Sequence, residues 1–336
     1  MYFLITIIRN FLYSIGILRS IEFKNLYIIC VGNLRVGGSG KTTMVEYLIN
    51  NLQDDFPLAV VSLGYKRKTK GLREINDNDN QTTVGDEPWQ MYEKYNTVKF
   101  FVCKKRENAI EYIQKNYPKI KTIILDDAFQ YRRLRASHSI LLTEYERPFF
   151  EDYIIPYGRL RESRNQMKRC NDIIVTKCNE KITEQNKLNI IRKIKPKKYQ
   201  NIYFSSIYYK QAYLNDDKKQ TISLNGKNII IVVGIDNPKP MIDYIKKETN
   251  IIDILQFKDH HNFNDNDIKK IMMCFSYHKD ENAIILTTEK DATRLNKLNI
   301  PYYVLPIENK ITTINNNEKE FLIRIQDGIR KNQTSK

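Results

Sequence analysis

Hydrophobic and polar positions along the first part of the chain alternate between short apolar runs and longer amphipathic stretches. Short apolar runs bounded by polar residues are typical of buried strands. We predict such strands at Leu26–Val31, Leu58–Leu63, Val98–Val102, Thr122–Leu125, Ile140–Thr143 and Asp172–Thr176. Helices are predicted between them, at Lys41–Leu52, Arg106–Tyr117 and Thr183–Lys193. This alternation predicts an α/β fold with a mainly parallel sheet and helices on both faces, over residues 26–200.

The pattern changes after residue 200. Asn201–Tyr213 is alternating and rich in tyrosine, and a turn follows at Asn225-Gly226, which together predict a β-ribbon linker over residues 201–226. A smaller α/β domain is then expected over residues 227–325. Its predicted strands are Asn228–Val233, Ile251–Phe257, Ala283–Thr287 and Tyr302–Leu305. Residues 326–336 are expected to form a polar tail.

Residues 1–25 are predicted to contain an amphipathic helix. Its apolar face comprises Leu4, Ile8, Phe11, Leu12, Ile15 and Leu18. Its opposite face is mostly polar and includes Thr6, Arg9, Asn10 and Tyr13. Arg9 and Asn10 interrupt the apolar run before it reaches the length of a spanning helix. The pattern therefore suits two roles equally well: docking on the protein's own domain, or lying in a membrane interface.

Composition adds two constraints. The 336 residues carry a formal net charge of +16, which suits an anionic partner such as nucleic acid, an acidic membrane surface or a phosphorylated substrate. The basic residues are widely scattered, so a general bias in composition explains the charge equally well. The five cysteines include no C-x-x-C pair, which favours reduced thiols over a disulfide scaffold.

A glycine-rich stretch, VGNLRVGGSGKTT at Val31–Thr43, joins the first predicted strand to a helix. This context is typical of a phosphate-binding loop, in which glycines let backbone N–H groups surround phosphate oxygens. Lys41 would reach the β- and γ-phosphates, and the Thr42 hydroxyl would bind Mg²⁺. Arg35 stands where a strict G-x-x-x-x-G-K-[ST] pattern has its first glycine. The predicted nucleotide-binding residues are Val36, Gly37, Gly38, Ser39, Gly40, Lys41, Thr42 and Thr43.

A second acidic element belongs to such a site, and the segment KTIILDDAFQ at Lys121–Gln130 supplies it. One carboxylate of Asp126 and Asp127 can hold Mg²⁺, and the other can take a supporting or substrate role. These features leave two function classes open: a kinase for a small molecule or lipid, and a regulatory NTPase that switches conformation.

Four further motifs bear on this choice. They are VGDEPWQM at Val84–Met91, IPYGRLRES at Ile155–Ser163, FKDHHNF at Phe257–Phe263 and TTEKDATRL at Thr287–Leu295. Together with VGNLRVGGSGKT and LDDAFQ, their order and spacing resemble the tetraacyldisaccharide 4'-kinase (lipid A 4'-kinase) family, from about residue 26 to residue 306. The loop of that family characteristically lacks the first glycine, so Arg35 agrees with the resemblance.

The resemblance implies an ATP-dependent kinase that phosphorylates the 4'-hydroxyl of a tetraacyl glucosamine disaccharide 1-phosphate to form lipid IVA, with ATP and Mg²⁺ as cofactors. It implies peripheral attachment to the cytoplasmic face of the bacterial inner membrane. It also implies a larger N-terminal P-loop domain joined to a smaller C-terminal domain by a β-ribbon. Neither a nucleic-acid partner nor an obligate protein partner is expected.

The same resemblance assigns roles to single residues. Asp86 corresponds to the proposed catalytic base, His260 to the residue that pairs with it, and Glu87 to a residue that positions substrate or Mg²⁺. Arg106 and Arg161 correspond to arginines near the phosphates. The expected catalytic residues are thus Asp86, His260, Lys41, Arg106 and Arg161, and the expected metal-binding residues are Thr42, Asp126, Asp127 and Glu87.

Two positions depart from the family pattern, and one motif raises an alternative. Leu63 replaces an arginine, and Tyr131 stands where a histidine is common. The DHH triplet at 259–261 has no second histidine or cysteine cluster nearby in sequence, so zinc is not expected there.

Overall fold

The protein is described by a computed structural model that covers residues 2–179, 181–259, 261–295 and 297–334. The chain folds into two compact units, one formed by Met1–Ile207 and Asn309–Lys336, the other by Tyr208–Glu308. The larger unit thus takes both ends of the chain, and the smaller unit is a single internal segment.

The first part of the larger unit alternates strands and helices. Its helices are α1 (Tyr2–Ser14), α2 (Lys41–Leu52), α3 (Gln81–Val84), α4 (Asp86–Lys94), α5 (Arg106–Asn116) and α6 (Glu184–Ile194). Its strands are β1 (Tyr27–Asn33), β2 (Leu58–Ser62), β3 (Arg73–Glu74), β4 (Lys99–Val102), β5 (Thr122–Leu125), β6 (His138–Glu144), β7 (Asp172–Cys178) and β8 (Asn201–Tyr209). Short 3-10 helices lie at Phe149–Glu151 and Arg164–Arg169.

The smaller unit follows, and the chain then returns to the larger one. The elements of the smaller unit are β9 (Ala212–Leu214), β10 (Asp217–Ile222), β11 (Asn228–Val233), α7 (Lys239–Ile245), β12 (Asn250–Gln256), α8 (Asp265–Tyr277), β13 (Ile284–Thr288), α9 (Glu289–Ala292) and β14 (Tyr303–Leu305), with a 3-10 turn at Lys279–Glu281. The last two elements are β15 (Ile307–Thr312) and α10 (Glu320–Thr334).

Nine of the strands in the described residues form the large sheet, in the order β15-β8-β7-β6-β1-β5-β2-β4-β3. The strands from β8 to β4 pair in parallel, and β3 pairs antiparallel with β4 at the edge. β1 lies in the centre between β5 and β6, and every one of its residues is buried. The carboxyl ends of parallel strands meet at one edge, so the loops after β1 and β5 are neighbours.

Hydrophobic clusters lie on both faces of this sheet. On one face α2 packs five apolar side chains, Met44, Val45, Leu48, Ile49 and Leu52, whose spacing of three and four residues places them on one helix stripe. On the other face α5 buries Ala109, Ile110 and Ile113 against Val61 and Ile123. This arrangement confirms the predicted α/β fold with a mainly parallel sheet covered on both faces.

The smaller sheet has the order β10-β9-β14-β13-β11-β12. β12, β11, β13 and β14 run parallel, while β9 and β10 are antiparallel additions at one edge. The predicted ribbon is therefore divided: residues 201–209 form β8 of the large sheet, and the β9–β10 hairpin belongs to the smaller sheet. The alternating residues after position 210 form the antiparallel β9–β10 hairpin.

The expected polar tail at residues 326–336 is wrong for the part that the structure describes, because residues 326–334 belong to α10. Phe321, Ile325 and Ile329 recur every four residues and are buried in the large sheet's core. The ring of Phe321 packs edge-on against Tyr203 of β8, with 5.0 Å between centroids. Polar residues between these apolar positions made the helical period difficult to recognise in the sequence. The smaller unit ends at Glu308 and not at the expected residue 325.

Candidate active site

The glycine-rich loop and the two aspartates meet at the carboxyl edge of the large sheet. Cys30 of β1 lies opposite Leu125, the last residue of β5, so Asp126 follows directly beside the end of β1. The loop after Asn33 leads into α2, which begins at Lys41. Strand pairing therefore brings together two segments that are about 80 residues apart in sequence.

Two glycines with positive φ determine the backbone conformation of the loop. Gly37 has φ of 119° and Gly40 has φ of 81°, values that other residues adopt only with strain. A Cβ placed at Gly37 or Gly38 would meet nothing within 4 Å, so the chain there borders open space. Gly40 is the left-handed residue before α2, and its carbonyl accepts a hydrogen bond from the Met44 amide at 3.0 Å. The loop thus has the shape of a phosphate cradle that ends at a helix N-terminus.

Neighbouring polar groups hold the loop in place. The buried amide of Asn33 donates to the Ser39 hydroxyl at 2.7 Å, and the Thr176 hydroxyl of β7 donates to the Ser39 carbonyl at 3.0 Å. Gln130, which follows the two aspartates, donates through Nε2 to the Asn33 carbonyl at 2.7 Å. These contacts tie the loop to the strands on either side and pre-organise it.

Arg35 has a structural explanation. Its Nε lies 2.7 Å from Oδ2 of Asp152, and its Nη1 lies 3.7 Å from Glu144. The backbone around it pairs with the 159–161 segment, through Val36 N to Arg159 O at 2.8 Å and Arg161 N to Leu34 O at 2.7 Å. The side chain therefore anchors the start of the loop to Asp152 and Glu144.

Asp127 lies between two cations. Its carboxylate is gripped by both terminal nitrogens of Arg161, at 2.8 and 3.2 Å, and the Lys41 ammonium is 3.9 Å away. Burial alone would raise the pKa of Asp127, but Lys41 and Arg161 outweigh burial and hold that pKa below its ordinary value. Arg161 also donates to the side chain of Asn33. Lys41, Asp127 and Arg161 are thus assembled as one ionised group at the loop.

Asp126 has a contrasting environment. Its Oδ2 accepts from the Ser62 hydroxyl at 3.1 Å, whereas its Oδ1 is buried and has no hydrogen-bond partner among the described residues. Burial, Glu87 and Asp127 raise the pKa of Asp126 to about 7, with Lys41 opposing them. A buried carboxylate oxygen without a partner is costly unless a cation binds it, so this donor fits a hard divalent ion such as Mg²⁺.

The VGDEP motif forms the start of α4, with Asp86 and Glu87 in the first turn. Gly85 before it has φ of 98°, and Gly64 after β2 has φ of 68°. A Cβ at Gly64 would lie 2.7 Å from the Val84 carbonyl, and one at Gly85 would lie 3.0 Å from the Tyr65 carbonyl. This close backbone approach fixes the start of α4 beside the end of β2, and it brings the Glu87 charge close enough to raise the pKa of Asp126.

Arg106 is the first residue of α5 and is buried. Its guanidinium lies over the ring of Tyr131 at 4.9 Å, and Tyr131 in turn donates to Glu107. Burial lowers the pKa of Arg106, while the carboxylates of Asp127 and Asp126 act in the opposite direction. Tyr131, which departs from the family pattern, thus serves as the aromatic platform for this arginine.

The polar face of α1 docks on the larger unit. The carboxylate of Glu162 is fully buried and contacts Arg9 at 2.6 Å, Asn10 at 2.9 Å and Arg169 at 2.5 Å. Arg132 donates to the Asn10 carbonyl at 2.8 Å, and its guanidinium lies over the Tyr13 ring at 4.9 Å. Glu162 is the neighbour of Arg161, so one short segment binds both α1 and Asp127.

The apolar face of α1 consequently points outward. Ile8 and Phe11 are 57% and 59% exposed, whereas the polar side chains of Thr6 and Asn10 are buried. Ile5, Ile7, Ile15, Ile17 and Leu18 extend the exposed apolar surface. The Leu4 side chain lies outside the described residues. Leu12 of this face is half-buried, whereas Ile8, Phe11, Ile15 and Leu18 are exposed, so these four side chains do not take the docking role.

The DHH motif is only partly described, because His260 lies outside the described residues. Its neighbour His261 is hydrogen-bonded through Nε2 to Asp267 at 2.9 Å and stacks on Phe257. In the TTEKDATRL motif, buried Asp291 accepts from the Gly234 amide at 2.9 Å and from Arg294 at 2.7 Å. These contacts give both motifs a role in holding the smaller unit together, and the pairing of His260 with Asp86 stays a prediction.

Some residues that shape the site were not expected from the sequence. They are Asn33, Ser62, Gln130, Tyr131 and Glu162. Asn33, Gln130 and Glu162 lie inside the motifs, Tyr131 directly follows one, and Ser62 directly precedes Leu63; this proximity is the only signal that the sequence offered. Lys41, Asp126, Asp127, Arg106 and Arg161 lie together at one edge of the sheet, and Glu87 acts on the same group.

Comparisons with known proteins are consistent with this geometry. The family model described as Tetraacyldisaccharide-1-P 4'-kinase matches residues 1–326. A protein from Flavobacterium johnsoniae named tetraacyldisaccharide 4'-kinase is 39% identical over 335 residues, which are 99% of this chain and 95% of that protein. One of the same name from Bacteroides thetaiotaomicron is 39% identical over 344 residues, 97% of this chain and 90% of the relative. The crystal structure of LpxK from Aquifex aeolicus, described as an "apo" form in complex with ATP, has a similar fold, with a TM-score of 0.74 at 24% identity over 98% of this chain and 96% of that one.

Proposed function

The chain belongs to the tetraacyldisaccharide-1-P 4'-kinase family, and we propose that it transfers the γ-phosphoryl group of ATP to the 4'-hydroxyl of a tetraacyl glucosamine disaccharide 1-phosphate, giving lipid IVA. One observation carries the proposal: Lys41 at the end of the glycine loop and Arg161 converge on Asp127, directly beside the buried carboxylate of Asp126. Fixed cations beside ionised carboxylates are what phosphoryl transfer requires, because its transition state spreads negative charge over several oxygens.

In this proposal the loop from Val36 to Thr43 binds the nucleotide phosphates, and Lys41 neutralises the β- and γ-phosphates. Arg161 forms an ion pair with Asp127, and Lys41 lies 3.9 Å from the same carboxylate. Both cations are therefore close to the position proposed for the phosphates. The similar Aquifex protein was crystallised in complex with ATP, which supports this nucleotide as the donor.

Asp126 and the Thr42 hydroxyl would hold Mg²⁺, with Asp127 and Glu87 supporting it. When bound there, the ion would supply positive charge that offsets the negative charge of the phosphates. The unpartnered Oδ1 of Asp126 and the cluster of Glu87, Asp126 and Asp127 charges support this assignment. A cation there would also remove the repulsion that raises the pKa of Asp126.

Asp86 is proposed as the general base that accepts the proton of the 4'-hydroxyl, and His260 as the residue that tunes it. Support for Asp86 comes from its position in the first turn of α4, next to Glu87. Arg106 is proposed to contact the transferring phosphate. Its Nε is buried and has no hydrogen-bond partner among the described residues, so it can still donate to a ligand oxygen.

The protein is proposed to bind the membrane peripherally through α1. A lipid with four acyl chains stays in the bilayer, so its sugar hydroxyl must be reached at the interface. The outward apolar face of α1, at Ile8 and Phe11, supports this role. Arg19 and Lys24 are exposed and can meet anionic head groups, whereas Arg9 is engaged by Glu162.

The described part of the chain contains no helix that is both long and apolar enough to cross a bilayer. We place the enzyme at the cytoplasmic face of the inner membrane, because ATP is the proposed donor and the lipid is the proposed acceptor. The lipid is its only proposed partner besides the membrane surface.

The test is a transfer assay with ATP labelled in the γ-phosphate and the tetraacyl disaccharide 1-phosphate in mixed micelles. The proposal expects label in the lipid fraction, dependent on Mg²⁺, and a loss of that label in Lys41→Ala. A regulatory NTPase would release labelled inorganic phosphate without labelling the lipid, and that result would overturn the proposal.

A further inference from the structure

A group of side chains of the types that bind metals lies in the smaller unit. Asp253 lies on β12, Cys274 in the last turn of α8, and His278 directly after that helix. One ligand atom from each of these residues lies within 4.8 Å of those of the other two. All three residues belong to one compact unit, so their spacing does not depend on any motion between units.

The geometry resembles a metal site whose metal has to draw the ligands together by small shifts. The Cys274 sulfur lies 3.1 Å from Oδ2 of Asp253, and Nε2 of His278 lies 4.0 Å from the same oxygen. In a tetrahedral zinc site, bonds of about 2.3 Å to sulfur and about 2.0 Å to nitrogen and oxygen place ligand atoms roughly 3.3–3.5 Å apart. The sulfur–oxygen distance is about 0.4 Å shorter than that spacing and the nitrogen–oxygen distance about 0.7 Å longer, while all three ligand atoms lie within 4.8 Å of one another, so shifts of about 1 Å would close the site.

The chain around these ligands orients each of them. Cys274 and His278 are four residues apart, which places both on one side of α8, and the His278 amide donates to the Cys274 carbonyl at 3.3 Å. A register shift between β11 and β12 pairs Ile230 with Asp253 directly after Ile229 with Ile251. A bulge of this kind redirects the side chain that follows it.

The outer contacts are also those of a metal site. Nδ1 of His278 is hydrogen-bonded to Glu281 at 2.9 Å, so Nε2 is the nitrogen that faces Asp253 and Cys274. A carboxylate on the far nitrogen of a histidine is the usual way in which a metal-binding imidazole is oriented. The two oxygens of Asp253 have different partners. Oδ1 accepts a hydrogen bond from the Ile254 amide at 2.7 Å, and Oδ2 is the oxygen nearest to Cys274 and His278.

We propose that Asp253, Cys274 and His278 bind a zinc ion, with Glu281 positioning the histidine and water completing the coordination. A thiolate, an imidazole and a carboxylate together favour Zn²⁺ over Mg²⁺, which prefers oxygen ligands alone. The Cys274 thiol now donates to Asp253, and zinc binding replaces that proton, which leaves to solvent. The ion ties the end of α8 to β12 at the edge of the smaller sheet.

A simple polar contact is the competing explanation, in which the thiol merely caps an exposed carboxylate. The two explanations differ in what they require of His278 and Glu281. A thiol–carboxylate contact needs neither residue. The zinc site needs His278 as a ligand and Glu281 because it orients His278. Variants of these two residues therefore separate the explanations.

The experiment uses the purified full-length chain, without a histidine tag, stripped of metal and titrated with Co²⁺ as a spectroscopic substitute for zinc. The proposal expects one equivalent of bound cobalt with a thiolate-to-cobalt charge-transfer band, displaced by Zn²⁺. The other four cysteines are buried in the larger unit, so the band reports on Cys274. Cys274→Ser should abolish it, and Glu281→Gln should weaken metal affinity by about 10–100-fold.

The matched control is His261→Gln, which removes the other described histidine–carboxylate pair of this unit, formed with Asp267 and without a cysteine ligand. Cobalt binding should be unchanged in this variant and lost in His278→Gln. Zinc should raise the melting temperature of the wild-type protein and leave that of Cys274→Ser unaltered. A folded wild-type protein without the charge-transfer band, or a band that persists in Cys274→Ser or in His278→Gln, would overturn the proposal.

Discussion

Arg161 grips Asp127 with both terminal nitrogens, Nη2 to Oδ1 at 2.8 Å and Nη1 to Oδ2 at 3.2 Å, across 34 residues of sequence. The planar fork of a guanidinium matches a carboxylate in this way, and a lysine ammonium cannot. The same arginine is joined through the next residue, Glu162, to the polar face of α1. The proposed phosphate site and the proposed membrane helix therefore share one short segment.

Replacing Arg161 by lysine tests the fork. The variant keeps the positive charge but loses the bidentate contact, so Asp127 and the transferring phosphate are no longer aligned. We expect kcat for lipid phosphorylation to fall about 10²–10³-fold, because pre-organised charge stabilisation is lost. Arg159→Lys is the control, since Arg159 lies in the same segment with an exposed side chain. Equal activity of Arg161→Lys and the wild type would contradict the role of the fork.

Asp126→Asn tests the buried carboxylate through stability as well as activity. The folded-state pKa of Asp126, about 7, lies above the ordinary value of 3.8, so folding favours its protonated form. The protonated carboxyl contributes its full share to the free energy of unfolding below pH 3.8, and this contribution is lost as the pH rises through about 7. Without Mg²⁺, the asparagine variant should therefore be more stable than the wild type above pH 7, by about 1–4 kcal/mol.

Urea unfolding in the presence of a chelator measures this difference. The stability advantage of Asp126→Asn should shrink as the pH falls from about 8 to 5, because the wild-type carboxyl then takes up its proton. Activity should fall about 10²–10³-fold in the same variant. If the variant is less stable than the wild type at pH 8 without metal, the ionised Asp126 does not destabilise the folded protein, and this result would contradict the Mg²⁺ assignment.

Asp86→Asn tests the proposed base. Removing the proton acceptor should lower kcat about 10²–10⁴-fold and leave the KM for ATP nearly unchanged. His260→Ala should cause a smaller loss and shift the acidic limb of the pH–rate profile. Glu93→Gln on the exposed side of α4 provides the control for helix integrity. Full kcat in Asp86→Asn would move the base elsewhere, with Asp127 the next candidate.

The outward face of α1 is tested by vesicle flotation. Ile8→Ser with Phe11→Ser removes two large exposed side chains, each of which would contribute about 1.5–3 kcal/mol of membrane affinity on full burial. We expect the double variant to remain folded and to lose most of its binding to anionic vesicles. Ile323→Ser, an exposed position on α10, is the matched control and should float like the wild type. Unchanged flotation of the double variant would contradict the proposal.

Local sequence determined much of the fold. The apolar run before Asn33, the glycines of the loop and the helical stripe from Met44 to Leu52 are all contiguous, so period and turn chemistry were enough to place them. The meeting of this loop with Asp126 followed from the rule that parallel strands end at one edge. The resemblance to the kinase family rested on motifs of the same local kind and is confirmed by the family match.

Long-range relations that no motif marks could not be predicted from the sequence. An amphipathic pattern shows that α1 has two faces but not which one docks, and that choice is made by Glu162, about 150 residues away. Nothing in the sequence of β15 or α10 indicates that the chain returns to the first sheet after the smaller unit. The same holds for Asp253 and His278, which become neighbours only when α8 packs beside β12.

The position of the new phosphate on the lipid tests the central claim most directly. Two-dimensional proton–phosphorus NMR of the product, made with unlabelled ATP and the tetraacyl disaccharide 1-phosphate, identifies the sugar carbon that bears each phosphate. The account predicts a second phosphomonoester correlated with the proton at the 4' position, absent in Lys41→Ala and in Asp86→Asn. A new phosphate at any other position, or none after ATP has been consumed, would contradict it.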